Sequence, residues 1–137
     1  MHDRDSDVGT RPCTAGVRSG RLAKAQGFLQ AADDTELLDD IGQLGDAVVT
    51  LYVHAGVAAS DVICCARLGK YPSGENHAEA INLLKAADAS SSTHLATLLS
   101  MKTKAGYSHT AASSTEIKKA ARAATHLVER ARSIALD

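Results

Sequence analysis

Between residues 35 and 68, nine small or apolar residues recur at alternating spacings of four and three: Leu37, Ile41, Leu44, Val48, Leu51, Ala55, Ala58, Val62 and Cys65. A strand alternates every second residue, so this rhythm belongs to a helix with one continuous seam. It predicts a single helix over residues 35–68, about 51 Å long at 1.5 Å per residue. No other segment has a comparable run, so the remaining elements must pack against this one.

Composition supports the same class. Aromatic residues are 3% of the chain, with no Trp and one Phe, so the core is built from Leu, Ile, Val and Ala. Alanine is the strongest helix former and lets helices approach closely. The two prolines, Pro12 and Pro72, leave long uninterrupted stretches. At 137 residues the chain has the size of one domain. The net charge of −1 gives no overall attraction to nucleic acid. No apolar run approaches the ~20 residues a membrane span requires and no secretory leader is visible, so a cytoplasmic protein without a membrane partner is expected. Three cysteines make no disulfide framework, and reduced thiols are expected.

Residues 1–18 are polar and aperiodic and are expected to form a disordered arm, with residues 19–137 as the folded bundle. A short helix is predicted over residues 21–32. Asp33 and Glu36 have the spacing of a capping box for the long helix, and Gly69 followed by Pro72 ends it. Further helices are predicted over residues 77–87, 93–105 and 114–135. Asn76 with Glu79 and Ser113 with Glu116 cap the first and last of these. Short connections between five helices imply an all-α, up-and-down five-helix bundle with one long central helix.

Asp61 is the most informative polar residue. It lies in Gly56-Val57-Ala58-Ala59-Ser60-Asp61-Val62-Ile63-Cys64-Cys65-Ala66, a stretch otherwise small and apolar on every side. A buried carboxylate needs a partner. Either it anchors a neighbouring element, such as the loop before His77, or it marks a site. His54 and His77 flank it in sequence. With Tyr107 these make a candidate polar centre for a small-molecule site between helices. Lys102, Lys104 and His109 cluster near the end of the fourth helix, where a lysine and a histidine could serve a phosphate and a proton in RNA cleavage. Solvation of a helix end is the simpler account of them. The pair Arg122 and His126 reads as a surface pair. No zinc spacing, phosphate-binding loop or nucleophile elbow occurs, so neither a metal nor a cofactor is expected.

The segments HAGVAASDVICCARLGKYPSGENHAEAINLL, LLSMKTKAGYS and AARAATHLVERARSIA resemble the HEPN-like superfamily of small helical bundles, in particular an uncharacterised actinobacterial group. The resemblance runs over residues 21–136. It rests on Asp61 at the end of an Ala-rich half helix, Gly74 before His77, and Lys102 with Tyr107 ahead of the last helix. It implies a helical bundle that is often a homodimer, with links to toxin–antitoxin systems and to a nucleotidyltransferase or antitoxin partner, and in many members ribonuclease activity. The family's catalytic signature is an arginine followed, after four to six residues, by a histidine. No such pair occurs here; the nearest mimic is Lys104 or Lys102 with His109. Lysine lacks the planar fork that grips a phosphate. The expectation is therefore a non-catalytic, homodimeric binding or accessory protein. A degenerate RNase toxin acting on RNA and a small-molecule-binding bundle are the alternatives.

Overall fold

In the computed structural model, residues 9–74 and 76–136 are described. The chain runs β1 (Thr10–Pro12), α1 (Ala15–Leu38), α2 (Gly45–Leu68), β2 (Lys70–Pro72), α3 (His77–Ala87), a 3-10 turn (Ala89–Ser91), α4 (Ser92–Tyr107) and α5 (Ser114–Ala135). The architecture is a mostly-α bundle of five helices. α2 is its long central helix, packed most extensively against α1 and α5 and also against α3, α4 and β2.

The central helix is shorter than its sequence rhythm implies. Residues 35–68 do not form one helix: the chain turns back at residues 39–44, and α1 and α2 pair as a helical hairpin. Asp39 makes the break. Its carboxylate accepts from the backbone N–H of Gln43 and of Leu44, both at 3.0 Å. It thereby pairs two N–H groups of the turn that leads into α2. Gly42 takes the left-handed conformation (φ 68°) that this turn requires. The first three members of the seam end up in solvent, with Leu37 80% and Ile41 75% exposed and Leu44 46% exposed. From Val48 onward the seam is buried, apart from the partly buried Leu51.

Asp33 and Glu36 do not cap a helix. They face Tyr52 of α2, whose buried hydroxyl donates toward Asp33 Oδ1 at 2.7 Å and Glu36 Oε1 at 2.9 Å. Burial and the two carboxylates hold that phenol far above its ordinary pKa, so it stays a donor. The capping positions of the later helices do form. Asn76 accepts from Glu79 N, and Ser113 and Glu116 make a reciprocal capping box. Gly69 closes α2 in the left-handed conformation, its N–H bonded to Cys65 O.

The expected disordered arm is structured from Thr10 onward, as β1 and the first turn of α1; residues 1–8 lie outside the described residues. β1 pairs antiparallel with β2, Arg11 opposite Tyr71. This pairing carries Cys13 to the end of α2, where it forms a disulfide with Cys65 across a Cα–Cα distance of 5.4 Å. The expectation of three reduced thiols is thus corrected: only Cys64 is free, and it is buried.

α2 is also long and apolar enough to cross a membrane by length and composition, with a mean hydropathy of 1.7 over its best window; 78% of that window is buried inside the bundle. Here it serves as the core helix. Gly56 is where α4 comes closest. A Cβ there would lie 2.2 Å from Leu98 Cδ1, so the absent side chain permits the α2–α4 contact.

Candidate functional site

The second half of α2 lines a cavity of about 620 Å³. α1 contributes Arg21 to its wall. The chain after β2 contributes Ser73, Gly74 and Asn76, α3 contributes His77 and Ala80, and α4 contributes Leu95, Leu99, Lys102 and Tyr107. The wall is therefore drawn from segments distant in sequence, held together by the disulfide, the β1–β2 pairing and the close α2–α4 approach.

Asp61 is its chemical centre. The residue is 6% exposed, yet its carboxylate accepts no hydrogen bond from any described residue. Its one ion pair among the described residues is Arg21 Nε to Asp61 Oδ2 at 3.5 Å, longer than a charge-assisted hydrogen bond. Burial pushes the carboxyl up to about 7, against the Arg21 guanidinium, which pulls it down. At neutral pH it therefore exchanges between an acceptor and a donor. Asp61 does not anchor the loop before His77; Asn76 caps α3 instead. Cys64 lies beside Asp61 on the same wall, and burial first, then the Asp61 charge, lifts its thiol to about 12. That thiol is inert as a nucleophile.

The four residues of the expected polar centre, Asp61, His77, Tyr107 and His54, all line this cavity, as does Lys102. His54 is exposed and stacks on Phe28, ring centroids 5.2 Å apart. Tyr107 stands at the mouth, 86% exposed. Lys102 and His77 have no hydrogen-bond or ion-pair partner among the described residues. Arg21 carries no signal of this role in the sequence. It sits in a plain amphipathic helix with no local anomaly, and only the α1–α2 hairpin brings it to Asp61. Its guanidinium also lies over the Tyr71 ring, 5.8 Å from the centroid.

Lys104 and His109 are elsewhere. Lys104 Nζ bonds Glu116 Oε1 at 2.7 Å, joining α4 to the capping box of α5. That ammonium and the Ser113 N–H hold the Glu116 carboxyl down at about 2. His109 is exposed in the turn between α4 and α5 and does not line the cavity. Arg122 and His126 lie on α5; His126 stacks on His94 at 4.1 Å beside a shallower groove of about 430 Å³ that Arg122 lines. Burial, then the His126 charge, lowers the His94 pKa, which disfavours a charged imidazole pair there. Among the described residues no group of three or more His, Cys, Asp or Glu could hold a metal ion.

Comparison with known protein families finds no family model that matches this chain, and comparison with curated proteins finds no match. The cavity's own chemistry therefore carries the functional reading.

Proposed function

We propose that this protein is a non-catalytic, small-molecule-binding helical bundle, its ligand seated in the cavity beside Asp61. One observation carries the reading: a carboxylate more than nine-tenths buried faces a cavity of ligand size with one long ion pair and no hydrogen bond among the described residues. A polar group left so poorly partnered costs stability, typically about 1–3 kcal/mol or more for a charge. A ligand that hydrogen-bonds to it recovers part of that cost on binding. A volume near 620 Å³ falls in the range of ~300–1,000 Å³ that accepts small organic ligands. The resemblance to HEPN-like bundles is retained in this proposal as an accessory role, since the chain has no Arg-x4–6-His pair and Lys104 is committed to Glu116.

The neutral fluorophore N-phenyl-1-naphthylamine tests the reading. Saturable binding with one probe per chain is expected in the wild type, with loss in Ala80→Phe, which fills the cavity from the partly exposed face of α3. An absence of saturable binding, or equal binding by Ala80→Phe, would overturn it.

The homodimer belongs to the same proposal. Its support is the apolar cap at the α1–α2 turn, where Leu37, Leu38, Ile41 and Leu44 are exposed together. Sedimentation should show a dimer at micromolar concentration that dissociates in Leu37→Ser/Ile41→Ser. A wild type that stays monomeric removes this part.

A further inference from the structure

We infer that the cavity selects amphipathic organic anions that carry one N–H or O–H donor: the donor meets Asp61, the apolar body lies on Val53, Val57, Leu95 and Leu99, and the anionic group meets Lys102. The inference rests on the small-molecule reading above and specifies its ligand class.

Charge decides the class. Among the described lining residues, Arg21 and Lys102 are permanent cations and Asp61 is the single carboxylate. Arg21 and Asp61 offset each other at 3.5 Å. Lys102 lines the cavity from α4 with an exposed side chain, so its ammonium is met by solvent and stays open to an anion at the cavity's edge. His77 and His54, also in the lining, contribute no negative charge. A cationic ligand drawn to Asp61 would have to displace Arg21 and sit near Lys102. An anion at Lys102 opposes no described charge except Asp61, and a neutral donor satisfies Asp61 in either of its protonation states. The same side chain type two residues away shows the contrast: Lys104, turned about 200° around α4, has its carboxylate already, in Glu116. The carboxylate or sulfonate that Lys102 lacks within the described residues is the group the ligand supplies.

The apolar part of the class follows from the wall. Leu95 and Leu99 of α4 stand one helical turn apart, and Val53 and Val57 of α2 likewise, so apolar surface comes from two helices. Val53, Leu95 and Leu99 are already buried, so a fused aromatic or comparable hydrocarbon body gains its apolar contact mainly at the half-buried Val57.

The test pairs two probes with the same body and the same anilino N–H. 8-Anilinonaphthalene-1-sulfonate carries a sulfonate; N-phenyl-1-naphthylamine does not. At low salt the sulfonate probe should bind the wild type about threefold more tightly, the scale of one solvent-exposed charge pair. Lys102→Glu should remove that advantage and leave the neutral probe within about twofold. Asp61→Leu should weaken both probes about tenfold, since both donate through the N–H. Leu37→Ser/Ile41→Ser should change neither, which separates the cavity from the exposed apolar cap. Equal affinity for the two probes overturns the anion assignment. So does a Lys102→Glu loss no larger for the sulfonate, or a sulfonate loss that follows the cap variant. Unchanged binding by Asp61→Leu overturns the donor assignment. Failure of the neutral probe alone to bind any variant strikes instead at the cavity reading itself.

Discussion

Lys102 and Lys104 stand two residues apart on one helix and belong to two different regions. Lys102 faces the Asp61 cavity without a described partner. Lys104 faces α5 and is bound to Glu116, which in turn caps that helix with Ser113. In the α4–α5 corner Lys104 and Glu116 meet at 2.7 Å. In the cavity Asp61 is buried with one long ion pair among the described residues, Arg21 is shared between Asp61 and the Tyr71 ring, and Lys102 is exposed to solvent. A bundle that needs only to fold has no use for a poorly satisfied carboxylate in its middle. The difference separates a corner whose ion pair closes a helix end from a cavity whose buried carboxylate is poorly partnered.

The largest test of this contrast is the pH dependence of stability. The carboxyl of Asp61 rises from 3.8 to about 7 on folding because burial disfavours its charge. Its pKa is raised in the native state, so the native state holds the proton more tightly than the unfolded state does. The resulting stability is complete below pH 3.8 and is lost as pH rises through about 7. Over that window the loss is on the order of 4 kcal/mol. Urea unfolding of wild type and Asp61→Asn at several pH values should show Asn gaining by about this amount toward pH 8 relative to pH 4. A wild-type-minus-variant difference that stays flat with pH would mean that Asp61 is as well solvated as a surface acid, and the contrast would collapse.

Next comes the strap that walls the cavity. The disulfide joins residues 52 apart in sequence. Cys13→Ser should cost about 3 kcal/mol, mainly through the freer unfolded chain. It should also weaken probe binding, because β1 holds β2 and the chain leading to His77. Full stability with unaltered binding would show that the strap has no part in the cavity wall.

Gly56→Ala should cost about 1–2 kcal/mol. The added methyl meets Leu98 Cδ1, which lies 2.2 Å from its position, and the gain in helix propensity offsets part of the overpacking. Because Leu95 and Leu99 flank Leu98 on α4, the shift should reach the cavity and lower probe affinity while leaving the Lys104–Glu116 corner intact. The smallest effect is expected at the lysines themselves. Lys104→Met should lower the melting temperature slightly, and Lys102→Met should not lower it at all. The reverse order would assign the structural role to the wrong lysine.

Much of the bundle is legible in the sequence because its helix ends are local events. Ser113 with Glu116, Asn76 before His77, and Gly69 before Pro72 announce caps that involve only neighbours in the chain. The hairpin at residues 39–44 is less legible. Leu37, Ile41 and Leu44 continue the seam's rhythm, and nothing in a spacing of four and three says that Asp39 folds back onto Gln43 and Leu44. Asp61 is visible as an anomaly, a charge within an apolar stretch. Its partner Arg21 is not, because an arginine on an amphipathic helix is ordinary until the helix is docked.

The sequence by itself determined the helical class, the helix that becomes the core, and the one carboxylate that cannot be comfortable there. These follow from periodicity and solvation, which act along the chain. Tertiary structure alone decided that the seam breaks at Asp39, that Cys13 meets Cys65, and that His54, His77, Lys102 and Tyr107 share one cavity with Asp61. Those facts depend on which helix faces cross in space. That outcome is set by the summed packing of all five helices rather than by any residue's neighbours in sequence.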